Sequence, residues 1–254
     1  LLADTCLVAR REAASLASRP ILYVLWAAFF MLGALSFVTL LVTFAQQEYR
    51  EAADMSGNVT QSVIGQTFYM VHFFLAIQVP LLTMRAFAEE RASGMLDLLQ
   101  TTPLGDWSLL LGKFIAHVAA MAGYLMLALA FPIAVASVGD VEWAVVASGW
   151  LALLLASAAY VAIGLFFSAT TESHVVAAVL AYATLFCLLL LEALVELSGT
   201  RPLRDAAAHL GVSKHLEAFL KGNIASMDAA YFALVAWAFL FLAARILEAR
   251  RSRP

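Results

Sequence analysis

Charge is what this sequence has least of: Asp, Glu, Lys and Arg make up 13% of its 254 residues, against 63% hydrophobic. Soluble domains carry about 25% charged residues, so this balance, with a mean hydropathy of +0.89, excludes an ordinary soluble domain. There are only two cysteines, Cys6 near the start and Cys187 inside an apolar run, which excludes a disulfide framework. The net charge of -3, with basic residues few and scattered, leaves no footprint for nucleic acid. No phosphate cradle of the form G-x-x-x-x-G-K-[ST] occurs. Gly112-Lys113 invites the comparison, but position 107 is Trp and Phe114 follows the lysine. The chain has no H-E-x-x-H pair and no G-x-S-x-G elbow. Nor does any of His72, His117, His174, His209 and His215 have a His or Cys neighbour at metal-ligand spacing, so neither a metal nor a cofactor is expected in this chain.

What is present in abundance is long apolar runs. A hydrocarbon core of about 30 Å takes roughly 20 apolar residues as a helix. Six stretches qualify, at about residues 21–44, 64–84, 114–138, 143–168, 175–195 and 229–247. Lipid cannot satisfy open backbone groups, and no in-and-out alternation suggests a barrel, so the expected fold is all-α with six transmembrane helices. Residues 1–254 are read as one transmembrane domain. No cleavable signal peptide is expected, because the run after Arg10, Arg11 and Arg19 is too long for one.

The basic residues set the orientation. With a cytoplasmic N-terminus, inner segments hold ten of them, including Arg10, Arg11, Arg19, Arg85, Arg91 and Lys113, and outer segments hold five. Both termini are therefore expected inside. Residues 5–18 read as an interfacial helix before span one. In the outer loop 196–227, apolar residues at helical spacing, Leu210, Leu216, Phe219 and Leu220 among them, predict short helices lying on the outer membrane surface.

The charges that remain gather at "FAEERASGMLDLLQTTP", residues 87–103, between spans two and three. Arg85 and Glu89 at i and i+4 would lie side by side on a continued helix. Gly94 can break that rod, Leu96 and Leu99 anchor the next turn while Asp97 stays exposed, and Pro103 ends it. Asp106 is the expected N-cap of the next helix, as Asp228 is of span six, and Lys113 is expected to snorkel to the headgroups. A bent helix over 85–105 with one buried and one presented side looks like a docking element.

"MRAFAEERASGMLDLLQTTPLGDWSLLLGKF" (84–114) resembles the signature loop of ABC-2 type permeases, the membrane subunits of ATP-binding-cassette exporters. "ARREAASLASRPILYVL" (9–25), "GLFFSATTESHVVAAVLAY" (164–182) and "HLEAFLKGNIASMDAAYF" (215–232) resemble its small six-span branch, which is associated with gliding motility and with copper delivery to nitrous-oxide reductase. Met95 and Asp97 stand where that family often has Thr and Glu, Leu216 replaces a usual aromatic, and Ala225 a usual acid. The resemblance implies a bacterial inner-membrane permease whose 85–105 elbow is a coupling helix seated in an ATPase subunit. It also implies two such ATPase chains holding ATP and Mg, a second permease copy or a related permease meeting this one along spans two and five, and room for an extracytoplasmic accessory protein. Arg85, Glu89, Glu90, Arg91, Gly94, Leu96, Asp97, Leu99 and Pro103 would form the coupling surface, and Asp228 would be a candidate outer gate. Charge reversal at Glu89 and Glu90 together is expected to abolish ATP turnover.

Polar groups inside the spans, chiefly His72, Gln78, His117 and Tyr160, fit either a substrate path or helix–helix hydrogen bonding. Residues six apart point about 120° away from each other on a helix, so His72 and Gln78 do not line one narrow face. Two other functions fit the same chain. One is an ABC complex that transmits force to an outside partner without transport; the other is an ion-coupled secondary transporter, for which Glu192 is the one acid well inside an apolar run.

Overall fold

The computed structural model describes residues 2–50, 60–95, 105–137, 139–198 and 211–251, and every regular element among them is helical. An N-terminal helix, Leu2–Ser18, precedes span one, Pro20–Arg50. Span two is Gln66–Thr83, entered through a wide π-helical turn at Thr60–Gly65. A turn at 84–87 leads into a short elbow helix, Ala88–Ala92. Span three is Asp106–Ala128 continued by Ala130–Ala136, span four is Trp143–Thr170 and span five is His174–Ser198. An amphipathic helix, Val212–Leu220, precedes span six, Ser226–Arg251. Five of these helices are long and apolar enough to cross a membrane, and span five carries a shorter apolar stretch, His174–Leu190. The protein is an all-α membrane protein of about six spans.

Span four is apolar on every side, as a helix buried at the centre of a bundle should be. Two-thirds of its apolar stretch, 67%, is covered by protein, with 61% for span two and only 22% for span one. Spans two and four therefore form the middle. Lipid provides no hydrophobic drive between helices, so close approach at small residues has to hold them together. Gly164 of span four faces Thr83, and a Cβ built there would stand 2.0 Å from Thr83 Oγ1. Gly149 of the same helix admits Phe68 in the same way, at 2.8 Å. Span one packs on span three at Gly123, beneath Trp26, and through Phe131, stacked between Phe30 and Phe37. Span three breaks at Leu129, since Pro132 has no N–H to return to the carbonyl of Ala128.

The amphipathic helix departs from the sequence expectation. Leu216 and Phe219 are fully buried, and the Ser148 hydroxyl donates to the Phe219 carbonyl at 2.7 Å. Its apolar face packs on the start of span four, where Gly149 admits Leu220.

Candidate functional site

The charged stretch lies at the end of the bundle where the N-terminal helix, the start of span three and the ends of spans four and six meet. Span three begins eight residues before its apolar run, so Lys113 sits two turns inside a helix and not at its mouth. The N-terminal helix then covers it. Gly112 permits this, since a Cβ there would fall 2.5 Å from Val8 Cγ1 and 3.1 Å from the Ala9 backbone nitrogen.

Lys113 is consequently 1% exposed and does not snorkel. Its ammonium lies 2.7 Å from Glu90 of the elbow and 3.4 Å from Glu12 of the N-terminal helix, and 5.1 Å above the Phe87 ring. One cation thus joins three segments distant in sequence. Burying an ammonium is costly unless carboxylates meet it, and here two do. The second oxygen of Glu90, Oε2, is buried without a hydrogen-bond partner among the described residues. One turn on, His117 Nδ1–H donates to the Lys113 carbonyl at 2.8 Å. With Gly112 against Val8 and Lys113 held by carboxylates, the Gly-Lys pair does not fit a bound phosphate.

The remaining elbow residues divide. Arg85 and Glu89 are not neighbours on one continuous helix, because the turn at 84–87 intervenes. Arg85 is exposed, and Glu89, 56% exposed, meets Arg19 at 3.7 Å. Arg91 is half-buried. Gly94 has φ +70°, the left-handed conformation that ends a helix at little cost only for glycine. Leu96, Asp97, Leu99 and Pro103 lie outside the described residues.

The turn itself is held from span four. The Ser168 hydroxyl accepts the N–H groups of Phe87 at 3.0 Å and Ala88 at 3.2 Å, and donates to the Met84 carbonyl at 3.0 Å. A helix that stops in a buried place leaves orphan backbone groups, and one fully buried hydroxyl satisfies three of them. Local pattern does not reveal these roles, for the partners of Ser168 lie 80 to 84 residues away and those of Lys113 lie 23 and 101 residues away.

Deeper in the bundle, His72 Nε2 and Tyr160 OH form a buried hydrogen bond of 2.5 Å between spans two and four. Gln78 is fully buried, and its amide has no partner among the described residues. At the far end Asp228 is not the N-cap but the third residue of span six, because the helix begins at Ser226. Its carboxylate takes His215 Nδ1 at 2.6 Å, and the His215 ring stacks on Tyr231 at 4.2 Å. Likewise Asp106 occupies the first helical position of span three, with Gly105 as the cap. His209 lies outside the described residues, among which no group of three or more metal-binding side chains occurs.

The family model described as ABC-2 family transporter protein matches residues 6–221, which takes in the N-terminal helix, the elbow and the first five spans. No curated protein matches the chain. The chain belongs to the ABC-2 transporter family and is a multi-pass membrane permease component of an ATP-binding-cassette system.

Proposed function

We propose that this permease couples ATP hydrolysis in a separate subunit to export, and that its 85–105 elbow is the element the ATPase moves. In this reading the termini lie in the cytoplasm of a bacterial inner membrane. Two ATPase chains carry ATP and Mg, and a second permease copy or a related chain completes the path. The observation that carries the reading is the junction at Lys113. A tether needs only a few polar residues, whereas this elbow is tied by buried charge to two other helices, so a push on it moves them together. Such rigidity suits a lever.

The exposed acids should then be separable from the buried one. Glu90 holds Lys113, so reversing it disturbs folding as well as docking. Glu89 faces outward against the exposed Arg19 and isolates docking. The test is to capture the tagged chain from its native membranes and assay ATP turnover of what binds. An ATP-hydrolysing subunit should accompany the wild type, and Glu89→Lys should lower turnover by about tenfold, within the usual 1–3 kcal/mol range of coupling energies. Capture of no ATPase, or undiminished turnover by an assembled Glu89→Lys complex, would remove the elbow's role.

A further inference from the structure

We propose that Ser168 is a positioning residue that makes span four move with the elbow, so that the driven body includes the central helix of the bundle and not only the two spans the elbow joins. The inference rests on the coupling role of the elbow. It comes from the stretch "GLFFSATTESH" (164–174), which no part of that role uses. Two residues of this stretch, one helical turn apart, face the junction between span two and the elbow. Gly164 admits Thr83, the last residue of span two, and Ser168 binds the three backbone groups on either side of the turn that follows.

The chemistry makes this grip specific. Phe87 and Ala88 are fully buried, so their N–H groups cannot turn to water if the elbow slides away from span four. A hydroxyl is required because the site presents two donors and one acceptor, and a hydroxyl oxygen accepts twice while its proton donates once. Span four in turn leads to span six, where Arg250 donates to the Thr170 carbonyl at 3.2 Å. A displacement of the elbow would therefore reach the middle of the bundle through a short hydrogen-bonded contact, without passing along the covalent chain.

The test uses the complex captured with its ATPase, with Cys6→Ser and Cys187→Ser clearing the background for spin labels at Ala92→Cys and Glu172→Cys, two exposed positions at the elbow and just past span four. The label distance is measured without nucleotide and after trapping with ATP and vanadate. In the otherwise wild-type complex one distance should persist in both states. Ser168→Ala should let the two states differ, by up to about one helical turn, ~5 Å, because the elbow follows the ATPase while span four lags. Ser168→Thr, which restores the hydroxyl, should bring back the single distance. A distance that already changes on trapping in the wild-type background overturns the inference whether or not Ser168→Ala assembles. So does a Ser168→Ala distribution that is unchanged, or broadened equally in both states as a purely structural defect would be. Those outcomes leave the coupling role standing, whereas failure to capture an ATPase strikes that role and this inference with it.

Discussion

Lys113→Met is expected to destabilise the purified chain by about 3 kcal/mol, the scale on which removing one partner from a buried ion pair acts. Methionine nearly matches the volume of lysine, so packing against Phe87 survives and the loss is electrostatic. Without the ammonium, Glu12 and Glu90, whose side chains are only 18% and 23% exposed, face each other as like charges in a poorly hydrated place. The control follows from the same physics. Replacing a whole buried ionic cluster by neutral groups is often close to neutral, so Glu12→Gln/Glu90→Gln/Lys113→Met should recover to within about 1 kcal/mol of the wild type. Thermal melts of the detergent-purified variants, followed by tryptophan fluorescence, compare the two. Equal melting of Lys113→Met and wild type would show that the junction holds nothing.

Gly164→Ala should destabilise by about 1–3 kcal/mol, the usual cost of forcing extra volume into a packed interior. The added Cβ would meet Thr83 Oγ1 and, at 2.9 Å, Thr83 Cβ, which is fixed to the backbone of span two and cannot rotate away. Spans two and four must part. Because Thr83 immediately precedes the turn gripped by Ser168, the variant should also capture less ATPase from membranes. Moving the small residue to the other helix, as Thr83→Gly/Gly164→Ala, should restore most of the stability, because Thr83 ends its helix and glycine there costs less than in a helix interior. A Gly164→Ala chain that melts and assembles normally would mean that the two helices do not depend on this contact.

These variants also mark what could be read from the sequence and what could not. Apolar runs of roughly 20 residues revealed the spans, because membrane thickness alone demands them. The start of the span-three helix was legible to within one position, since Asp106, the expected N-cap, is its first residue. What pattern does not show is that the N-terminal helix covers Lys113 and keeps it from the headgroups. Its true environment depends on Glu12, 101 residues away, and on Val8 closing over Gly112, neither of which any local period encodes. Continuity of a helix past Met84 was a fair expectation from spacing, and it failed because Ser168 offers the turn's backbone groups another partner. Asp228 shows the same limit: its place near a helix start was legible, but its pairing with His215 was not.

The most direct test of the elbow as a driven lever is a photo-crosslinking amino acid placed at the exposed Ser93, activated in native membranes. An adduct with a chain that binds ATP is the expected product, and it should weaken when Glu89→Lys is present. Adducts confined to lipid, or formed only with a chain unable to bind nucleotide, would contradict the lever.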